Sequence, residues 1–64
     1  MNNYNLKIKE TFVSALRNHK KNNFKTAENL YKKILMMNPN HADTHNNLGV
    51  IFKEFGEHKK AKNC

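Results

Sequence analysis

The sequence is poor in the residues that crosslink small proteins or bind metals. It has a single cysteine, Cys64, which excludes an internal disulfide and gives no support for a secreted disulfide scaffold or a cysteine-rich zinc site. No apolar run approaches the roughly 18 residues that a membrane span requires. The N-terminus also lacks the apolar segment of a signal peptide. We therefore predict a cytoplasmic chain.

Acidic residues are also scarce. Five Asp and Glu oppose 12 Lys and Arg, which gives a net charge of +7. Such a surplus can attract nucleic acid or an acidic partner. The lysines are spread along the chain rather than clustered, which favours a solvated basic surface over a nucleic-acid footprint. With 64 residues, the chain can form one small domain at most.

Apolar residues recur at helical spacing in the first two thirds of the chain. We predict a disordered segment over residues 1–5 and a first helix over about 6–20. Asn22 and Asn23 indicate a turn, because asparagine tolerates the left-handed backbone conformation. A second helix is predicted over 24–37 and ends before Pro39, since the residue preceding a proline is disfavoured in a helix.

The third predicted helix covers about 42–55. It places His45, Leu48, Gly49 and Phe52 on one face. Gly56 is predicted to end it, and a fourth helix is predicted to begin near His58.

An offset of 34 residues aligns the two halves of the chain. It pairs Ala15 with Gly49, and Asn22 with Gly56. It also pairs Ala27 with Ala61. Because two helices approach closely only where a side chain is small, the pairing of small residues predicts a close helix crossing in each half.

The period and the pattern HNNLGVIFKEFGEHKKA resemble a tetratricopeptide repeat. Residues that stand at the family's characteristic positions are Phe24, Ala27, Tyr31, Pro39, Leu48, Gly49, Phe52, Gly56 and Ala61. The resemblance implies an all-α fold of antiparallel helix-turn-helix pairs in a right-handed solenoid. It places repeat 1 at about 8–41 and an incomplete repeat 2 at about 42–64.

The resemblance further implies a non-catalytic scaffold, without cofactor or metal, that binds a protein or peptide in a concave groove. The basic surplus favours an acidic partner. The first helix of each pair would line the groove, and Asn46 and Asn47 are the strongest candidates for hydrogen-bonding a peptide backbone. The groove-facing positions that the resemblance implies are Lys9, Phe12, Val13, Leu16, His19 and Lys20 in repeat 1, and Asp43, Asn46, Asn47, Val50, Lys53 and Glu54 in repeat 2. Of these, the predicted groove residues that contact the partner are Lys9, Phe12, Leu16, Lys20, Asn46, Asn47, Val50 and Lys53.

Several alternatives remain open. The chain resembles repeats that precede glycosyltransferase or sulfotransferase domains, so it could be the N-terminal segment of a larger enzyme. A basic nucleic-acid-binding module is less favoured. His41 and His45 have the spacing of a metal pair on a helix, but packing is the favoured interpretation. Because repeat 2 is incomplete, we expect either a fragment of a longer protein or self-association through the unfinished face.

Overall fold

A computed structural model describes the backbone of residues 3–63 and the side chains of residues 5–60. It contains helices α1 (Asn3–Lys20), α2 (Phe24–Met37) and α3 (Ala42–Asn63). Helix α1 packs against α2, and α2 packs against α3. The predicted all-α fold of helical hairpins is confirmed.

The first two helices match their predicted positions closely. Helix α2 has the predicted bounds, and its predicted apolar stripe supplies four buried residues: Phe24, Ala27, Tyr31 and Ile34. Helix α1 begins at Asn3 and therefore overlaps the segment predicted to be disordered. Met1 and Asn2 lie outside the described residues.

The turn between α1 and α2 is built by asparagines. Asn22 adopts a φ of 63°, in the left-handed region predicted for this turn. The N–H of Asn22 bonds to the carbonyl of His19 at 3.0 Å, and the N–H of Asn23 bonds to that of Asn18 at 2.9 Å. This pair of bonds is the Schellman motif, which satisfies carbonyls that the helix end leaves unpaired.

The turn between α2 and α3 ends α2 as predicted. Asn38 has an extended backbone (φ −144°, ψ 91°), and its N–H bonds to the carbonyl of Ile34. Pro39 follows, and its preference for an extended preceding residue agrees with this geometry.

The hydrophobic core lies where α2 meets the other two helices. Its buried apolar residues are Ile8, Ala15, Phe24, Ala27, Tyr31, Ile34, Leu48 and Ile51. Ala15 and Ala27 have no exposed surface, which agrees with the small residues predicted at the α1–α2 crossing.

The predicted close crossing at Gly49 is wrong. Gly49 is exposed, and a Cβ added there would meet nothing within 4 Å. The buried face of α3 instead carries Thr44, Leu48 and Ile51, while Phe52 is 53% exposed. The reason is that α3 packs on α2 through one face only, and within the described residues no helix covers the other. The side chain of Ala61 lies outside the described residues.

The predicted helix end at Gly56 is also wrong, as is the separate fourth helix. Helix α3 continues without interruption to Asn63, and Gly56 has no positive φ. The Phe24 ring packs near residues on both sides of Gly56, and its centroid lies 5.7 Å from that of Phe55 and 5.7 Å from that of His58. Glycine permits a turn but does not impose one, so packing decides the local conformation.

Candidate functional site

Two open cavities lie between α1 and the segment that begins with Asn38 and continues into α3, and together we call them the groove. The first, about 270 Å³, includes Lys9 and Phe12 in its lining. The second, about 370 Å³, includes Leu16, Lys20 and Asn47. Five of the eight predicted groove residues therefore line these cavities. Whether they bind a partner stays a prediction.

The other three predicted groove residues lie on α3 but line neither cavity. Asn46, Val50 and Lys53 are all exposed, with 43% of Val50 accessible to solvent. They share a side of α3 because positions separated by three, four or seven residues face the same direction on a helix. By the same spacing, Val50 in this exposed strip adjoins Asn47 and Glu54, which line the second cavity.

Asn47 has a structural role that the sequence did not predict. Its amide nitrogen donates a hydrogen bond to the hydroxyl of Tyr31 at 3.2 Å. Tyr31 is fully buried, so Asn47 provides a partner for a phenol that would otherwise lie unsatisfied in the core. Burial raises the pKa of Tyr31 above 10.0, and the bond from Asn47 partly opposes this rise. Asn47 therefore lines the groove and also donates a hydrogen bond to a core residue.

A contact between His19 and Glu54 crosses the second cavity. The His19 Nε2 lies 2.6 Å from the Glu54 Oε1, and the two side chains are 15% and 48% exposed. Both residues were predicted to face the groove, but their contact was not predicted. The repeat period could have indicated this contact, because His19 and Glu54 are 35 residues apart and the period is 34 residues.

Phe12 lines the first cavity but is chiefly a packing residue. Its ring centroid lies 5.6 Å from that of Tyr31, in an edge-to-face arrangement, and 5.8 Å from that of His41. Such aromatic pairs stabilise beyond the area they bury. Phe12 therefore packs α1 against α2 and also contributes to the lining of the first cavity.

Comparison with known families identifies the chain. The sequence profile described as "Tetratricopeptide repeat" matches residues 30–63. This segment includes the end of α2, the turn at Pro39 and all of α3. The chain belongs to the tetratricopeptide repeat family. No curated protein and no solved structure matches it.

Membership of the tetratricopeptide repeat family indicates the general role of the chain. These repeats are protein-interaction scaffolds and are typically non-catalytic. Among the described residues, no helix is both long and apolar enough to cross a membrane.

The two histidines considered as a metal pair make local contacts within the repeat. The His41 Nδ1 lies 2.8 Å from the hydroxyl of Thr44, and the His45 Nε2 lies 2.8 Å from the carbonyl oxygen of Pro39. Over the part of the chain that the structure describes, no three His, Cys, Asp or Glu residues form a group that could hold a metal ion. These contacts favour a role in shaping the turn.

Proposed function

We propose that this tetratricopeptide repeat chain binds an extended acidic peptide of a partner protein in the groove between α1 and α3. The observation that carries the proposal is the grouping of Leu16, Lys20 and Asn47 around one open cavity. Apolar, cationic and amide groups within one cavity can contact the side chains, the charges and the backbone of a peptide.

The polar groups of the groove suit a peptide backbone. Asn46 is exposed, and its amide can both donate and accept hydrogen bonds. Asn47 is half-buried, and its amide already donates to Tyr31. We therefore assign the main backbone contact to Asn46, with Asn47 holding the groove wall in place.

The charges of the groove favour an acidic peptide. Lys9 and Lys20 line it and are exposed, and exposed Lys53 lies on the adjoining strip of α3. Its lining also contains the carboxylates of Asp43 and Glu54, of which Glu54 already contacts His19. Together with the net charge of +7, this arrangement would steer an acidic segment toward the groove and speed its association.

The test begins with a selection of peptides from a random dodecapeptide phage library on the immobilised full chain. A selected peptide is then titrated against Val50→Glu, with Met36→Glu as the matched control. Both positions are exposed apolar residues, and Met36 lies on α2 away from the groove. We expect Val50→Glu to weaken binding by about tenfold or more and Met36→Glu to leave it within about twofold. Equal effects of the two variants, or no effect of Val50→Glu, would contradict the proposal.

We also propose self-association through the exposed face of α3 that carries Gly49, Phe52 and Gly56. Phe52 is 53% exposed, and a Cβ added at either glycine would meet nothing within 4 Å. The molar mass of the chain in solution, compared with that of Phe52→Ser, tests this proposal. A wild-type chain that remains monomeric at high concentration would exclude it.

A further inference from the structure

A third cavity lies outside the groove, where the start of α2 meets the second half of α3. It has a volume of about 460 Å³, and Phe24, Lys25, Phe55, His58 and Lys59 contribute to its lining. We call it the basal cavity. We propose that the basal cavity is a second docking site, which takes an acidic segment of a partner protein that carries one bulky apolar side chain.

The apolar part of the site is an aromatic wall. The Phe24 and Phe55 ring centroids are 5.7 Å apart, and the Phe24 and His58 centroids are also 5.7 Å apart. Phe24 is buried, whereas 44% of Phe55 remains exposed toward solvent. An apolar side chain entering the cavity would cover Phe55 and gain the stabilisation that apolar burial provides.

The charged part of the site is cationic. The Lys59 Nζ lies 5.9 Å from the centroid of the Phe55 ring, within the range of a cation–π interaction. Lys25 stands at the start of α2, 80% exposed and 3.7 Å from Glu28, whose closer partner is Lys32 at 2.9 Å. Among the described residues that line the cavity, none is acidic. Charge complementarity therefore selects an acidic occupant.

The combination of an aromatic wall with lysines distinguishes this site from a surface that is only basic. A carboxylate next to an apolar side chain would contact the lysines while the apolar group rests on Phe55. Lysines alone would attract any anion with little preference for its neighbours. The basal cavity is independent of the groove, because its lining shares only Asn22 with either groove cavity.

The test uses the full chain and a fluorescent synthetic peptide of sequence EDFDE, with EDSDE as the peptide control. Lys59→Glu reverses a charge in the basal cavity. Lys33→Glu makes the same change at an exposed lysine of α2 that lines neither the basal cavity nor the groove, so it is the matched control. We expect EDFDE to bind more tightly than EDSDE. Lys59→Glu should weaken the binding of EDFDE by about tenfold or more, and Lys33→Glu should change it by less than about threefold. Phe55→Ala should remove the preference for the phenylalanine peptide.

Equal weakening by the two charge reversals would overturn the proposal, because it would indicate diffuse attraction to the net charge. Equal binding of the two peptides would overturn it as well. Amide chemical shifts that move at Leu16 and Asn47 rather than at Lys25 and Thr26 would place the peptide in the groove. Conversely, loss of EDFDE binding by Lys59→Glu but not by Val50→Glu would support the basal cavity even if the groove bound nothing.

Discussion

The amide of Asn47 donates a hydrogen bond to the buried hydroxyl of Tyr31. This contact joins α3 to α2 through polar atoms in an interface that is otherwise largely apolar. If a buried hydroxyl loses its hydrogen-bond partner, the stability lost exceeds the net contribution of that bond. The reason is that the hydroxyl has given up its hydrogen bonds to water and has no partner in the protein to replace them. The pair is therefore a sensitive point of the fold.

Asn47→Ala should lower the free energy of unfolding by about 1–3 kcal/mol, the usual cost of a buried polar group left unsatisfied. The matched control is Asn46→Ala, because Asn46 is exposed and adjacent. The free energy of unfolding of that variant should stay within about 0.5 kcal/mol of the wild-type value, as is usual for surface substitutions. Urea unfolding followed by circular dichroism measures both. Similar values for the two variants would contradict the structural role assigned to Asn47.

Stability should fall in alkaline solution, and Tyr31 should account for part of the fall. Burial raises the pKa of Tyr31 above 10.0, so the folded chain favours the protonated phenol. The resulting stability is complete below the pKa of 10.0 of an unfolded tyrosine and is lost as the pH rises through the folded-state pKa.

Tyr31→Phe removes this titration while the lysines still titrate in both proteins. The urea midpoint of the variant should therefore drop less than that of the wild type between about pH 8 and pH 11. Equal drops would show that Tyr31 does not contribute.

Gly56→Ala should raise the free energy of unfolding by about 1 kcal/mol, because alanine is favoured over glycine within a helix. The backbone at Gly56 lacks a positive φ, and an added Cβ would meet nothing within 4 Å. Gly49→Ala is the matched control and should act in the same direction. If the chain instead turned at Gly56 with a left-handed backbone, the alanine variant there would lose stability while Gly49→Ala would still gain it.

Glu28 should contribute a small, acid-sensitive stabilisation to α2. A hydrogen bond from Lys32 is the main cause that lowers its pKa below 4.5, with help from Lys25. Its contribution is present above the unfolded-state pKa and is lost as the pH falls through the lower folded-state pKa.

Glu28→Gln should cost about 0.3–0.5 kcal/mol at neutral pH, the usual size of an exposed helix pair. The difference from the wild type should shrink between pH 7 and pH 3, as the carboxylate takes up a proton. Chemical denaturation at both pH values measures it, with Glu57→Gln on α3 as a control for lost charge. A difference that persists in acid would point to a cause other than the ion pair.

The sequence predicted those parts of the fold that local patterns determine. Helix α2 has a strong apolar stripe, a left-handed asparagine before it and a proline after it, and its bounds agree with prediction. Ala15 is buried as expected, because the helix that covers it follows directly in the chain.

Gly49 and Gly56 show where sequence reasoning reached its limit. Both stand at characteristic positions of a complete repeat, and the prediction assumed that a second helix folds back onto α3. In the described residues the chain instead continues as one helix. Along this helix, Phe55 and His58 both pack near the Phe24 ring of α2. Contacts between residues this distant cannot be derived from helical spacing alone.

The candidate groove was predictable only as a position in the repeat. The resemblance to the repeat family implies that Lys20 and Asn47 face the groove from the first helix of each pair, and both line one cavity. The bond from Asn47 to Tyr31 and the contact of His19 with Glu54 depend on how far α3 is rotated about its own axis. Helical spacing does not determine that rotation, because it depends on which face packs against α2.

Because α3 is one continuous helix, its local unfolding should vary along its length. Its first half is anchored by the buried residues Thr44, Leu48 and Ile51, whereas every residue from Phe52 to Lys60 is exposed. In a helix that is anchored only in its first half, the free energy needed to open a backbone hydrogen bond decreases with distance from the anchored part. The hydrogen exchange rates of the amides measure this decrease. Protection should therefore decay gradually from Ile51 toward the end of α3, without a step at Gly56. Helix α3 would thus contain both the slowest and the fastest exchanging amides of the second half of the chain.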